Sequence, residues 1–243
     1  MEILGIDVGG TGIKAAIVDT VKGKLLTERL RILTPAPATP EAISKVVFDI
    51  TRHFKWDGII GCGFPSVVRS DVVKTAVNVH KSWVNINLSK LIENTTKCKT
   101  KVINDADAAG LAEMKFGAGK NHQGVVMIIT VGTGLGTALF TQGKLLPNTE
   151  FGQLIINDDI AENYISAKVK EEFDLSWKCW AMRFNKYIAV VENLFYPDLI
   201  IIGGGISKKP DKFITRISAS ADIKIAEFKN NAGIIGAALF AEI

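Results

Sequence analysis

The chain has 243 residues, of which 47% are hydrophobic and 22% are charged, and its formal net charge is +4. This composition is typical of one large or two modest globular domains and excludes disordered and fibrous proteins. No apolar run reaches the roughly 18 residues that span a bilayer, and the N-terminus lacks a signal-peptide pattern, so we expect a cytoplasmic protein with no membrane partner.

The chain begins with a predicted strand, a glycine-rich turn and a second strand. The first apolar run ends at Asp7, the turn Gly9-Gly10-Thr11-Gly12 follows, and Lys14 leads into apolar residues 15–18. Glycines permit positive φ and let an anion approach the backbone amides, so the turn predicts a phosphate site to which Thr11 and Lys14 add a hydroxyl and a charge. Asp7 is predicted to hold phosphate-bound Mg²⁺ through water. An ordinary hairpin turn is the alternative interpretation of the glycine pair.

The next segment alternates predicted strands and helices. A strand over residues 30–33 precedes a helix that begins at Pro40 and carries apolar residues at helical spacing through Phe54. A strand over residues 58–63 then leads into Phe64-Pro65-Ser66, which is either a rigid loop that presents backbone groups to a ligand or a plain strand exit. Residues 68–90 have no regular pattern, and a long irregular segment inside a compact domain predicts a functional one.

A carboxylate pair follows the next predicted strand. A helix over residues 88–95 and a strand over 101–103 lead to Asn104-Asp105-Ala106-Asp107, which opens a helix that ends near Phe116. Aspartates in a first helical turn cap the helix or complement its dipole, and they also suit catalysis. On these residues alone, capping is favoured over catalysis.

The opening pattern returns in the second half of the chain. A strand over residues 125–130 precedes the turn Gly132-Thr133-Gly134 and a strand over 137–140, and Gln142-Gly143-Lys144 repeats Lys22-Gly23-Lys24. This repeat predicts two lobes of similar build that face each other across a cleft, each with one phosphate-binding hairpin. Because Thr130 stands where the first copy has Asp7, only the first lobe is expected to position the metal.

Helices dominate the remainder of the predicted elements. Glu150-Phe151-Gly152-Gln153 precedes a helical block over residues 160–173 and 176–195, broken near Asp174. The second part carries an apolar, aromatic face that predicts a core or a subunit interface: Trp177, Trp180, Phe184, Tyr187, Ile188, Val191 and Leu194. A strand over residues 198–202, the turn Gly203-Gly204-Gly205, a strand near 223–226 and a helix over 232–241 complete the chain.

Cysteines and histidines give no sign of a metal centre. The cysteines Cys62, Cys98 and Cys179 are isolated and odd in number, so we predict core residues and no zinc. The mild positive charge suits a small polyanionic substrate, and the absence of a basic stripe with interleaved aromatic residues indicates no nucleic-acid partner.

Two phosphate hairpins, one metal-placing carboxylate and a third glycine turn together indicate phosphoryl transfer. The chain has no GxxxxGK[ST] motif, which excludes a P-loop enzyme, and a strand instead of a helix follows residues 132–136, which argues against dinucleotide binding. Phosphoryl transfer to a hydroxyl needs a base, and Asp105 is the candidate.

These motifs together resemble the ROK sugar kinases of the actin/hexokinase/Hsp70 superfamily. The motifs that carry the resemblance are residues 7–14, 104–107, 130–136 and 203–206, and residues 75–84, 104–114, 146–150 and 195–213 resemble more narrowly the bacterial polyphosphate glucokinases. The resemblance implies an α/β, two-lobed actin-like ATPase (ribonuclease H-like) fold with a cleft between the lobes. The implied lobes are residues 1–104 plus 230–243 and residues 105–229.

The resemblance also implies the reaction and its residues. It implies transfer of a terminal phosphate from polyphosphate, and also from ATP, to the 6-hydroxyl group of glucose or a related hexose, with Mg²⁺, without zinc and in a homodimer. Asp105 is the implied general base. The implied sugar-binding residues are Asn78, Asn104, Asp105, Glu150, Gln153 and Gly63. The implied phosphate- or nucleotide-binding residues are Gly9, Gly10, Thr11, Gly12, Lys14, Gly132, Thr133, Gly134, Gly204 and Gly205.

The chain departs from the family pattern at Gln153. The family commonly has a histidine in the motif Glu-x-Gly-His, and an amide can still exchange hydrogen bonds with a sugar. The zinc-binding cluster of many ROK members is absent, as in polyphosphate glucokinases. Two alternatives remain: a strictly ATP-dependent ROK hexose or amino-sugar kinase, and a catalytically inactive sugar-binding sensor, which the presence of Asp7, Lys14 and Asp105 disfavours.

Overall fold

The structure is a computed structural model that describes residues 1–77 and 79–242. The strands are β1 (Glu2–Val8), β2 (Ile13–Asp19), β3 (Lys24–Leu25), β4 (Leu30–Ile32), β5 (Ile60–Phe64), β6 (Val68–Arg69), β7 (Val72–Val73), β8 (Thr100–Asn104), β9 (Val125–Val131), β10 (Leu135–Thr141), β11 (Lys144–Leu146), β12 (Ile155–Ile156), β13 (Asp159–Ile160), β14 (Leu199–Gly203) and β15 (Asp222–Ile225). The α-helices are α1 (Pro40–Phe54), α2 (Leu88–Thr96), α3 (Asp105–Phe116), α4 (Ala161–Ile165), α5 (Ala167–Glu172), α6 (Trp177–Phe195) and α7 (Ala232–Glu242).

The chain divides into two compact units. Unit 1 comprises Met1–Ala112 and Asn231–Ile243, and unit 2 comprises Glu113–Asn230. The sheet of unit 1 has the order β3-β2-β1-β5-β8, with β4 also paired to β2, and the sheet of unit 2 has the order β11-β10-β9-β14-β15. In each sheet an antiparallel hairpin comes first and two parallel strands follow. The predicted internal repeat is therefore confirmed by the strand order.

Helix α7 closes the core of unit 1. Its sequence is apolar on every side, as expected of a helix that is buried all round, and its residues 232–239 are all buried. A Cβ atom at Gly5 of β1 or Gly61 of β5 would collide with the α7 backbone, and one at Gly236 of α7 would collide with the carbonyl of Ala108. The backbone of α7 therefore lies directly against the sheet and against α3.

Helix α1 has the bounds that its sequence predicts. The Thr39 hydroxyl accepts a hydrogen bond from Ala42 N at 3.3 Å, Pro40 occupies the first turn, and Lys55 ends the helix in the left-handed conformation. Residues at helical spacing such as Ile43 and Val47 are buried in unit 1.

The aromatic face of α6 forms the core of unit 2. Trp180, Phe184 and Tyr187 are fully buried, and Trp180 Nε1 donates to the carbonyl of Ile165 at 2.8 Å. The sequence predicts that this face is either a core or a subunit interface, and the structure supports the core. Leu194 is 56% exposed and is therefore not part of this core.

Three further local predictions differ from the structure. The block 160–173 is two helices, because Ser166 takes an extended conformation and its hydroxyl caps α5 through Val169 N. Residues 68–73, predicted to be irregular, contain the β6–β7 hairpin, whose turn residues Ser70 and Asp71 both have positive φ. Cys179 is exposed on α6 and is not a core residue.

No helix in the described part of the chain combines the length and the apolar character that crossing a bilayer requires.

The buried hydroxyl of Tyr187 provides a test of the packing of unit 2. This oxygen has no hydrogen-bond partner among the described residues, and burial raises its pKa. Tyr187→Phe keeps the ring and removes the unsatisfied group, so we expect the free energy of unfolding, measured by urea denaturation, to rise by about 1 kcal/mol. Trp180→Phe, which loses a satisfied hydrogen bond, should lower it. A Tyr187→Phe protein less stable than the wild type would show that the Tyr187 hydroxyl does have a hydrogen-bond partner, and would contradict the packing described here.

Candidate active site

The first glycine turn, residues 9–12, presents backbone amides at the end of β1. Gly9 N donates to Gly12 O at 3.2 Å, while the Gly9 carbonyl accepts from Thr34 Oγ1 and the Thr11 carbonyl from Arg31 Nη2. The amides of Gly10 and Thr11 have no acceptor among the described residues, and both residues are exposed. A Cβ atom at Gly10 would meet no atom within 4 Å. Three carbonyls of the turn therefore accept hydrogen bonds from the protein, while the amides of Gly10 and Thr11 can donate to an anion.

The second turn, residues 132–134, is built in the same way. Gly132 N donates to Gly134 O at 2.9 Å, and the Gly132 carbonyl accepts from Ala167 N at the start of α5. Leu135 N donates to Glu162 Oε2 at 2.8 Å, which fixes the far end of the turn. Space is also open beside Gly132. Each sheet thus carries a turn in which the first glycine donates to the last.

The glycines of these turns do not use positive φ. Among the described glycines, positive φ occurs at Gly23, Gly143 and Gly204. Of the two properties that make glycine suitable for a phosphate turn, positive φ is therefore not the one used here. Glycine is suited to these turns because it has no side chain that would keep an anion away from the amides.

A row of charges crosses the sheet of unit 1 beside the first turn. Asp7 lies opposite Lys14 in the β1–β2 register, and Lys14 lies opposite Arg31 in the β2–β4 register. Lys14 Nζ and Asp7 Oδ2 are 2.7 Å apart, with side chains 24% and 14% exposed. Arg31 makes no ion pair with a described residue and is exposed. The row leaves one positive charge in excess next to the open amides.

Asp7 is the carboxylate that the first glycine turn offers to Mg²⁺. Among residues 1–77 and 79–242 no group of three or more His, Cys, Asp or Glu side chains could hold a metal. Asp7 offers one carboxylate, already bonded to Lys14, so the residues fit an ion held by phosphate oxygens and water and touched by Asp7 through water.

Asn104, and neither aspartate, caps α3. Its Oδ1 accepts from Ala106 N at 2.9 Å and from Asp107 N at 3.0 Å, and its Nδ2 donates to the carbonyl of Ser66 at 3.2 Å. The N-cap is therefore Asn104, which precedes the two aspartates predicted as caps, and Asp105 shares the amide of Ala106 with it. Asp105, half-buried in the first turn of α3, accepts from Ala106 N through Oδ1 at 2.9 Å.

Gly63 brings β5 close to the start of α3. A Cβ atom there would lie 3.6 Å from the Asp105 Cα, and Gly63 pairs with Asp7 in the β1–β5 register. Asp7, Gly63 and Asn104 all lie at the carboxyl ends of parallel strands, the edge at which open α/β sheets bind ligands. The predicted residues of unit 1 that the structure describes thus share one edge. Asn78 lies outside the described residues.

Glu150 is the predicted sugar ligand of unit 2. Glu150 is exposed, but its neighbours Thr149 and Gly152 are buried against β10, where a Cβ atom at Gly152 would collide with the Leu135 carbonyl. Partial burial of the Glu150 carboxyl and the negative charge of Glu162 raise its pKa. Gln153 is exposed, its backbone N donates to the Glu150 carbonyl at 3.0 Å, and its side chain makes no hydrogen bond to a described residue.

The third glycine turn follows β14. Gly203 lies opposite Thr130 in the β9–β14 register, and Gly204 has φ 77° with the Val131 carbonyl 2.5 Å from the position a Cβ would take. Gly204 and Gly205 therefore lie at the end of β9, at the same edge as residues 132–134.

Sequence reasoning missed the residues that brace these turns. They are Arg31, Thr34 and Glu162, each of which acts on a turn distant in the chain. Sequence reasoning also missed Thr137, which accepts from Phe151 N next to Glu150. A glutamate in the first turn of α4 is a weak local signal that could have indicated Glu162, whereas only strand register brings Arg31 opposite Lys14.

The chain is similar to proteins of known activity. A profile described as the ROK family matches residues 3–159. The polyphosphate glucokinase of Mycobacterium tuberculosis is 44% identical over 236 residues, which cover 97% of this chain and 89% of that protein. The crystal structure of an inorganic polyphosphate/ATP-glucomannokinase from Arthrobacter sp. strain KM has a TM-score of 0.97 and 43% identity, covering 99% of this chain and 98% of that chain.

A further solved structure agrees in fold. The ROK family glucokinase from Streptomyces griseus, in complex with glucose and AMPPNP, has a TM-score of 0.87 and 24% identity over 100% of this chain and 99% of that chain. Together these likenesses confirm the predicted actin-like ATPase fold.

Two glycine substitutions test the geometry of the turns. Gly204→Ala places a Cβ against the Val131 backbone at positive φ, so the free energy of unfolding should fall by about 2 kcal/mol or more. Gly10→Ala meets open space, so the change should stay within about 0.5 kcal/mol. Urea denaturation measures both, and equal stability of the two variants would contradict the structure.

Proposed function

The chain belongs to the ROK family, and we propose that it transfers the terminal phosphate of inorganic polyphosphate, and also of ATP, to the 6-hydroxyl group of glucose. The observation that carries the proposal is the likeness, over nearly the whole chain, to polyphosphate glucokinases and to a polyphosphate/ATP-glucomannokinase. The charge row and open amides described above supply what a polyanionic donor requires.

Asp105 is the proposed general base. Its carboxylate takes the proton of the 6-hydroxyl group as that oxygen attacks the terminal phosphorus, while the bond from phosphorus to the bridging oxygen breaks and the shortened donor leaves. Base catalysis of this kind contributes about 10² to 10⁴ in rate. The Asn104 cap supports this assignment, because it satisfies the helix amides of Ala106 and Asp107 without requiring Asp105 as the cap.

The donor is proposed to lie along the glycine turns. The amides of the two turns that are not bonded within the turn, those of Gly10, Thr11, Thr133 and Gly134, donate to phosphate oxygens, and Lys14 and Arg31 supply positive charge. Mg²⁺, when bound to the donor phosphates, neutralises their charge, and Asp7 would contact it through water. Gly204 and Gly205 are proposed to contact the nucleotide when ATP is the donor.

The sugar is proposed to bind Gly63, Asn104, Asp105, Glu150 and Gln153. Asn104 Oδ1 is committed to the helix cap, so its sugar contact would use the second hydrogen of Nδ2. Glu150 accepts from sugar hydroxyls as a carboxylate. The likeness to a glucomannokinase favours mannose as a second acceptor.

We further propose a homodimer in the cytoplasm. Exposed apolar side chains in unit 2 support an interface there: Phe173, Met182 and Leu194. The cytoplasm supplies ATP for the proposed reaction.

A coupled assay tests the function and the role of Asp105. Purified protein with Mg²⁺, glucose or mannose, and either polyphosphate or ATP should form the 6-phosphate with both donors. Asp105→Asn keeps the size of the side chain but cannot accept the proton, so kcat should fall by about 10² or more. Asp49→Asn, an exposed carboxylate on α1, is the matched control and should leave kcat unchanged.

The outcomes of this assay separate the alternatives. Product with ATP alone would indicate an ATP-dependent kinase, and no product from any hexose would indicate a sugar sensor. An Asp105→Asn protein that keeps most of its kcat would remove Asp105 from the base role.

The raised pKa of Glu150 predicts a pH dependence of glucose binding. As the pH falls through this pKa, which lies above 4.5, the carboxylate gains a proton and loses acceptor capacity, so the KM for glucose should rise at a higher pH than an ordinary glutamate would give. Glu150→Gln should raise KM and abolish this acid limb. The measurement is KM for glucose between about pH 4 and about pH 8. An identical acid limb in the variant would exclude Glu150 as its source.

The same shift predicts the sign of a stability effect. The pKa of Glu150 is higher in the folded chain than in the unfolded chain, so the folded chain holds this proton more tightly. As the pH rises from the pKa of the unfolded chain through that of the folded chain, the free energy of unfolding therefore falls. Glu150→Gln should remove this fall.

A further inference from the structure

We propose that Thr137 is a positioning residue for the sugar, because its one hydroxyl fixes the backbone on both sides of Glu150. Thr137 Oγ1 donates to the Thr149 carbonyl at 2.6 Å and accepts from Phe151 N at 3.1 Å. These groups belong to the peptide bonds that immediately precede and follow Glu150. The inference rests on the proposed function, in which Glu150 binds the sugar.

The arrangement is reciprocal and buried. Thr149 Oγ1 donates to the Thr137 carbonyl at 3.1 Å, and the two threonines are only 2% and 9% exposed. A buried hydroxyl that both donates and accepts holds its partners more firmly than an exposed one, because water does not compete for the bonds. The pair therefore locks residues 149–151 to β10.

Strand pairing ends before the chain reaches Glu150. In the antiparallel pair of β10 and β11, Thr141 lies opposite Lys144 and Leu139 lies opposite Leu146. Strand β11 ends at Leu146, so the pairing stops there. If the β10–β11 ladder continued two residues beyond the Leu139–Leu146 pair, Thr137 would lie opposite Asn148. Asn148 instead has φ 60°, and the chain turns away from the ladder there. The Thr137 side chain thus replaces the ladder where it stops. Glu150 itself, at φ −110° and ψ 52°, immediately precedes a single 3₁₀ turn over residues 151–153, and its carbonyl accepts from Gln153 N at 3.0 Å.

The internal repeat shows that the sheet does not require this hydroxyl. Thr137 is the third residue of β10, and the third residue of β2, the corresponding strand of unit 1, is Ala15, which is fully buried. The hairpin forms in unit 1 without a hydroxyl at this position. The threonine occurs in the copy whose hairpin is followed by the proposed sugar-binding segment.

Three variants of Thr137 and one of Thr149 test the inference. Thr137→Val keeps the shape and removes both hydrogen bonds of the hydroxyl, so the KM for glucose should rise about tenfold or more, while the KM for polyphosphate stays within about twofold. Thr137→Ser restores the hydroxyl and should rescue the KM for glucose. Thr149→Val loses only the reciprocal bond and should give a smaller rise. If Thr137→Val does not fold, Thr137→Ala, which adds no methyl group to the core, is measured in the same way.

The results distinguish the inference from the function on which it rests. A wild-type protein that phosphorylates no hexose overturns the proposed function. An active wild-type protein with an unchanged KM for glucose in Thr137→Val or Thr137→Ala overturns the positioning role. Equal rises in both KM values, or failure of serine to rescue, would assign Thr137 a structural role and would likewise overturn the inference.

Discussion

The backbone contact between α7 and the sheet of unit 1 is the constraint on which the rest of this unit depends. Gly5, Gly61 and Gly236 lie where a single methyl group would strike a carbonyl of the facing element. Close-packed interiors relax only partly around such a group, so the contact fixes the distance between helix and sheet. The same helix reaches the site, because a Cβ at Gly233 would lie 2.8 Å from the Asp7 carboxyl carbon. Glycines of α7 therefore allow both the close packing of the helix on unit 1 and its close approach to Asp7.

The regular elements of the fold could be predicted because their signals are local. The strands that enter the glycine turns are continuous apolar runs, and α1 combines a threonine cap, a proline in the first turn and apolar residues at helical spacing. The repeat was visible because both hairpins keep the same order of strand, glycine turn and strand. Short elements were missed for the opposite reason, since two-residue strands such as β6 and β7 have no periodicity. The break at Ser166 depends on one hydroxyl that caps α5, and a serine is also tolerated inside a helix.

The site could be predicted only where a motif carries it. Asp7, the glycine turns, Asp105 and Glu150 stand in recognisable patterns, so the sequence indicated them. Arg31 and Thr137 act through strand register and through contacts to distant backbone, and register is a property of the folded sheet. The function of Asn104 as the cap of α3 is an intermediate case: asparagine is a good cap, but only the coordinates show that it, and neither aspartate, accepts both amides.

The position of α7 has a consequence for synthesis of the chain on the ribosome. Unit 1 begins with the first strand, yet the helix that covers its sheet comes after all of unit 2. During translation the apolar face made by β1 and β5 therefore stays uncovered while more than a hundred further residues are added. Nascent domains with exposed apolar surface are prone to aggregation, so the first half of this chain is most vulnerable to aggregation before the closing helix emerges.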